Sequence, residues 1–293
     1  MTIKRVAIIG GESFTSTHLL PLLLEIGLDV IMSQRKEKSQ KNFLDLRDYG
    51  SISRFLKYSQ PNVVLLLAGK SNTSEKQYQG YHDINVLGPL RLANAIQELN
   101  YDIDQFIFAS SSHVYGSIEK RGILENDNLS PQGNYGISKF TAESILKESH
   151  GDRLVVVRPF NYTGAGQNPD LFVVPKIVNA FKVRKDEIEL GNIWPERDIS
   201  DVRDICEMYR NLILKEIVGT DINFCSGKGI RISDIIAFCK NITGVDLQIR
   251  ENPEFIRKNE PIYQVGSPER ARELGLFLKK IDVKETLEWM LLN

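Results

Sequence analysis

Cysteine is scarce and net charge is nearly absent: three cysteines and a formal charge of -1 stand among 293 residues. Cys206, Cys225 and Cys239 form no CxxC pair and have no histidine nearby. That excludes a zinc-finger arrangement and a disulfide-stapled scaffold, and leaves three small apolar side chains for the interior. With Lys+Arg 37 against Asp+Glu 38 there is no overall field to hold a nucleic-acid backbone or an anionic membrane. No apolar run approaches the roughly 18 residues of a membrane helix. The longest candidate, Leu19 to Leu28, is broken by Pro21, Glu25 and Gly27. The opening residues, Met1 to Val6, lack the apolar region and small-residue cleavage site of a signal peptide, so a cytoplasmic protein is expected, with no nucleic acid and no membrane as partner.

The remaining composition is that of a soluble globular chain, 42% hydrophobic and 26% charged, which excludes collagenous and disordered classes. Apolar runs of strand length alternate with stretches of helical period: Val6 to Ile9, Phe14 to Ile26, Asp29 to Met32, Tyr49 to Tyr58, Val63 to Leu67. The alternation continues through Tyr81 to Leu99, Gln105 to Ala109, Tyr135 to Glu148 and Leu154 to Val157. Strands nearly continuous in Val, Ile, Leu and Phe belong in a parallel sheet covered on both faces. The fold class expected is α/β, a doubly wound parallel sheet (Rossmann) over residues 1–160 with a smaller C-terminal α/β lobe over 161–293, some segments of which return to the main sheet. The cleft between them is the expected ligand site.

The first strand runs into Gly10-Gly11-Glu12-Ser13-Phe14-Thr15-Ser16 and then a helix, the place of a dinucleotide-binding turn. In the GxxGxxG form only Gly10 is kept, Ser13 and Ser16 replacing the other glycines, so the segment also reads as a plain joint between strand and helix. The second strand ends at Met32-Ser33-Gln34-Arg35 without the acid that would bind a ribose 2′-hydroxyl. Ser33 and Arg35 suit a 2′-phosphate instead, favouring NADP(H), although a solvated basic loop has the same sequence. Tyr135 and Lys139 share a helix face, where an ammonium would lower the tyrosine's pKa toward neutrality, though a surface pair fits the spacing equally. Ser110-Ser111-Ser112-His113-Val114-Tyr115-Gly116 follows the strand Gln105 to Ala109, at the carboxyl end where ligands bind.

A Ser, a Tyr and a Lys in this order after such a turn resemble the short-chain dehydrogenase/reductase superfamily, in its extended branch, the NAD-dependent epimerase/dehydratase family. The resemblance also rests on Leu67-Ala68-Gly69, Asn85-Val86-Leu87-Gly88, Arg158-Pro159-Phe160-Asn161, Leu190-Gly191-Asn192, Arg197 to Asp204 and Ser226-Gly227. Within the family the chain looks most like the GDP-4-keto-6-deoxymannose reductases and their dehydratase relatives, enzymes of deoxysugar assembly.

That resemblance implies Ser111 as the catalytic hydroxyl, Tyr135 as acid/base and Lys139 as its electrostatic partner. It implies cofactor contacts from Gly10, Ser13, Phe14, Thr15, Ser33, Arg35, Asp45, Leu46, Leu67, Ala68, Gly69, Tyr135 and Lys139. On a nucleotide-diphosphate sugar it implies contacts from Ser112, His113, Asn161, Leu190, Asn192, Arg197 and Arg257. The dehydratases carry a Glu where this chain has His113, so carbonyl reduction with NADPH is expected rather than dehydration, His113 serving as pocket wall or substrate contact. The resemblance further implies a two-fold dimer through the helices Tyr81 to Leu99 and Tyr135 to Glu148. Two alternatives remain at this point: a nucleotide-sugar epimerase with retained NAD, and a cofactor-binding protein without catalysis.

Overall fold

The computed structural model describes residues 4–35, 41–71, 78–256, 260–277 and 281–293. Strand β1 (Arg5–Ile9) leads into α1 (Phe14–Glu25), followed by β2 (Asp29–Met32), α2 (Tyr49–Ser59) and β3 (Val63–Leu66). Next come α3 (Tyr78–Tyr81), a π turn at His82–Val86, and α4 (Leu87–Glu98). The single helix expected over 81–99 is therefore divided, and the π turn buries Asn85 between the helices. Then follow β4 (Gln105–Ala109), α5 (Gly133–His150) and β5 (Leu154–Pro159).

The second half contributes β6 (Asn161–Thr163), α6 (Val173–Lys182), β7 (Glu187–Leu190), β8 (Glu196–Asp201), α7 (Val202–Leu214) and β9 (Thr220–Phe224). It ends with β10 (Gly229–Arg231), α8 (Ile232–Thr243), β11 (Gln248–Glu251), β12 (Tyr263–Gln264), α9 (Glu269–Glu273) and α10 (Val283–Leu292). The main sheet has six strands in the order β2-β1-β3-β4-β5-β9, and every neighbouring pair is parallel. This is the doubly wound parallel sheet read from the apolar runs. Its last strand comes from residues well past 160, because the crossover through α7 returns the chain to the sheet edge.

Alternate side chains of each strand feed two cores. Val6, Ile8, Val63, Leu65 and Ile107 meet α1 and α7 on one face, while Ala7, Ile9, Val64, Leu66 and Phe106 meet α2, α4 and α5 on the other. All are fully buried, as a sheet covered on both faces requires. A separate core built from α6, α8, β7 and α10 includes Ile177, Phe181, Ile188, Ile235 and Leu287. The strand order reverses between β1 and β3, so the carboxyl ends of these two strands open the crevice where such sheets take ligands.

Candidate active site

Gly10 closes β1 with φ at +102°, a conformation closed to most side chains. A Cβ there would stand 2.7 Å from the Ala68 nitrogen, so only glycine lets this turn rest on the segment after β3. A Cβ on Gly11 would meet the Ser33 carbonyl at 2.6 Å, and one on Gly69 would come within 3.1 Å of Lys139 Nζ. Bare backbone from three loops thus meets over the ends of β2, β1 and β3. That is the cradle a dinucleotide's sugar-phosphate backbone requires, and the residues present fit one.

The two serines in place of glycines turn inward. Ser16 Oγ donates to the Gly10 carbonyl (2.7 Å), which leaves it to accept from Ser13 Oγ (2.7 Å), while Ser13 Oγ accepts from the Ser16 amide (3.2 Å) and caps α1. Thr15 is buried, and its hydroxyl bonds that of Tyr162 on β6 (2.8 Å); Phe14 stacks on the same ring at 6.3 Å. Ser33 is buried and accepts from the Gly10 amide (3.0 Å), so its oxygen braces the turn and its own proton remains for a further acceptor. Arg35 is exposed, and its amide donates to Glu12 Oε2 (3.3 Å). Asp45 is paired with Arg47 (2.7 Å), whose hydrogen bonds hold the carboxyl below its usual range against the opposing effect of burial. Leu46 packs into the core beneath α4, leaving its backbone as what it can offer a ligand.

Ser111, His113, Tyr135 and Lys139 come together after β4 and on α5. Ser111 is buried; its Oγ accepts from the His113 amide (3.2 Å) and lies 3.1 Å from His113 Nδ1. The His113 ring meets Tyr135 edge-on, 5.4 Å between centroids. Gly136 allows this packing, since a Cβ there would lie 2.7 Å from the His113 carbonyl. Lys139 is buried, donates to the Ala109 carbonyl (2.7 Å) and stands 5.0 Å over the Phe108 ring. Lys139 is therefore internal and Tyr135 half-buried beside His113, so the two are not an exposed helix-surface pair.

One expectation is corrected. Tyr135 was read as a phenol lowered by its lysine, but burial pushes it up to about 12, with the Ser111 hydrogen bond working against the rise. Lys139 directs its ammonium to Ala109, and burial brings it down to about 8 while the Glu143 carboxylate opposes the fall. At neutral pH this site holds a protonated phenol beside a protonated lysine, which is the donor state a carbonyl reduction uses.

The substrate-side expectations divide. Ser112 is buried and its carbonyl accepts from Gln264 (3.3 Å). Asn161 donates to the Asp198 carbonyl (3.3 Å), and Arg197 pairs with Glu260 at 3.1 Å. Asn192 Oδ1 accepts from the Trp194 amide (3.1 Å), forming a local turn. On β7 Leu190 alternates inward with Ile188 and belongs to the lobe's core, leaving its backbone as what it can offer a ligand. Arg257 lies outside the described residues.

Sequence reading assigned no role to several side chains at this site. Buried Asn85 donates to Ser138 Oγ (3.0 Å) and to the Lys70 carbonyl (3.0 Å), tying the β3 loop to α5. Asp198 accepts from the amides of Ser226 (2.8 Å), Gly227 (2.8 Å) and Gly266 (3.3 Å), drawing two loops onto β8, and burial raises its pKa despite them. Both residues lay inside motifs already noted, but only their buried partners reveal the work. Among the described residues no group of His, Cys, Asp and Glu is placed to hold a metal, and no helix is long and apolar enough to cross a membrane.

A model of the family described as "NAD dependent epimerase/dehydratase family" matches residues 6–225. A GDP-6-deoxy-D-talose 4-dehydrogenase from Aggregatibacter actinomycetemcomitans is 29% identical over 291 residues, covering 99% of this chain and 97% of that protein. A GDP-6-deoxy-D-mannose reductase from Pseudomonas aeruginosa is 30% identical over 243 residues, 79% of each chain. The structure of RMD from Pseudomonas aeruginosa complexed with NADPH superposes with a TM-score of 0.85 at 26% identity, covering 98% of both chains.

Proposed function

The chain belongs to the NAD dependent epimerase/dehydratase family, and from that premise we propose that it reduces the C4 keto group of a nucleotide-linked 4-keto-6-deoxysugar, with GDP as the nucleotide and NADPH as the reductant. The observation that carries this reading is the Ser111, Tyr135 and Lys139 group at the mouth of a glycine cradle, with a phenol kept protonated by burial. Residues 1–160 form the cofactor half and 161–293 the substrate half, with β9 returning to the sheet.

Bound NADPH supplies a hydride. Tyr135 donates its proton to the sugar O4 as negative charge develops there, and Ser111 donates a hydrogen bond to the same oxygen. Lys139, charged in a site where little water screens it, would bind the nicotinamide ribose from its place beside the Ala109 carbonyl. Phe14, Thr15, Leu67, Ala68 and Gly69 border the cradle, and Ser33 and Arg35 face the adenosine end. Ser112, His113, Asn161 and Arg197 border the sugar-nucleotide side.

Incubation with NADPH and a panel of GDP-, dTDP-, CDP- and UDP-linked 4-keto sugars tests the reading. Loss of absorbance at the reduced-nicotinamide band, with the GDP sugar fastest, is the expected result. Interconversion of sugar epimers without net NADPH consumption would identify an epimerase instead. The dimer is part of the same proposal, with α4 and α5 as the paired helices. Light scattering at micromolar concentration should return twice the 33.3 kDa chain mass, and a monomer mass would remove it.

A further inference from the structure

Doubly wound nucleotide sites discriminate NAD from NADP at the end of the second strand, where a carboxylate accepts from the ribose 2′-hydroxyl and repels a 2′-phosphate. Here β2 is followed by buried Ser33, whose oxygen accepts from the Gly10 amide, and no acid stands between it and Arg35. A carboxylate nevertheless reaches that spot from another element. Gly11 lies directly on Met32 and Ser33, so the next side chain, Glu12, overhangs the strand end, and its Oε2 accepts from the Arg35 amide at 3.3 Å. Glu12 is exposed, with its carboxylate free of any ion pair to Arg35 at that contact, which is made by the backbone.

We propose that Glu12 supplies from the glycine turn the carboxylate that β2 lacks, so that the site takes NADH as well as NADPH and Arg35 and Glu12 set the ratio between them. With a free 2′-hydroxyl, Glu12 accepts a charge-assisted hydrogen bond and Arg35 has no anion to pair with. With a 2′-phosphate, the Arg35 guanidinium attracts what the Glu12 carboxylate repels, over the same few ångströms. The preference for NADPH that Arg35 alone would set is thereby reduced. Asp45 also faces Arg35, which helps hold its carboxyl low, but its hydrogen bonds go to Arg47. The inference rests on the cofactor reading of the glycine turn, and needs nothing of the sugar assignment.

The test is a binding titration without sugar, using NADPH and NADH, with 2′,5′-ADP and 5′-ADP as probes of the adenosine end alone. In Glu12→Gln, NADPH and 2′,5′-ADP should bind about tenfold more tightly, while NADH and 5′-ADP bind equally or less well. In Arg35→Ala, NADPH should weaken about tenfold or more and NADH should hold its affinity. Raising the salt concentration should shrink both differences, which a purely structural role for Glu12 would not produce. An unchanged ratio of NADPH to NADH affinity in Glu12→Gln would overturn the proposal. Failure of the unmodified protein to bind any of the four ligands would overturn the dinucleotide reading itself. A silent sugar panel alongside a shifted ratio would remove the sugar assignment and leave Glu12 in place.

Discussion

Replacement of Tyr135 by phenylalanine is expected to lower turnover by about a hundred- to ten-thousandfold while NADPH affinity stays within about twofold. The substitution removes one oxygen from a half-buried ring and keeps its edge contact with His113 and its neighbour Tyr81. What is lost is the proton that the developing alkoxide needs. Stopped-flow measurement of NADPH oxidation, beside a cofactor titration, separates the two quantities. Wild-type turnover in the variant would sink the catalytic assignment, and a large loss of cofactor affinity with it would assign Tyr135 to binding.

The same site fixes the direction of the pH dependence. The reductive reaction needs Tyr135 protonated and Lys139 charged. Tyr135 keeps its proton until about 12 and Lys139 only until about 8, so the lysine is the first of the two to lose the required form as pH rises. The rate should be level through neutrality and fall above about pH 8. Its alkaline limb should vanish in Lys139→Met, whose residual rate no longer depends on that proton. A limb that persists unchanged in Lys139→Met would assign it to another group.

The long apolar runs made the main sheet legible in advance, because β3 is Val and Leu throughout and β4 carries Phe-Ile-Phe at its centre, buried on both faces. The placement of the candidate group was legible for a different reason: Tyr135 and Lys139 are one helical turn apart, and a local spacing survives translation into three dimensions. The inward place of the Leu190 side chain follows from the alternation of Glu187 and Glu189 outward with Ile188 and Leu190 inward, which the motif likeness alone does not convey. The sign of the Tyr135 shift was misread because burial is not a local property. The sequence places an ammonium four residues away, but the direction its chain takes depends on the Ala109 carbonyl, which arrives from another strand. Glu12 escaped notice for the same reason: its target, the end of β2, is set by Gly11 packing on Met32.

Arg158 shows a wide gap between motif and role, and its removal is expected to be strongly destabilising. It stands next to last in β5 at 1% exposure, and all five of its N–H donors are engaged. Nε and one Nη2 hydrogen bind Glu143 (3.1 and 2.8 Å), Nη2 also binds Asp221 (2.7 Å), and Nη1 binds the Tyr115 hydroxyl and the Glu125 carbonyl (both 3.0 Å). Burial works against the guanidinium's charge, but the Glu143 hydrogen bonds and charge more than offset it, so the group is held protonated. Glu143 in turn accepts from Ser110, the residue before Ser111, and lies one helical turn from Lys139. Arg158→Met removes the cation and leaves a carboxylate only 2% exposed without its partner. Such a loss costs about 3 to 5 kcal/mol, or about 10 °C in melting temperature for a chain of this size. Arg158→Lys should recover little, since an ammonium cannot fill the planar fork. The double change Arg158→Met with Glu143→Leu should recover a substantial part of the loss, because no carboxylate is then buried unpaired, even though the direct attraction is gone. Urea melts of the three variants decide the point: a double variant no more stable than Arg158→Met alone would show that the network's contribution lies in the shape of the Arg158 fork and not in neutralising Glu143.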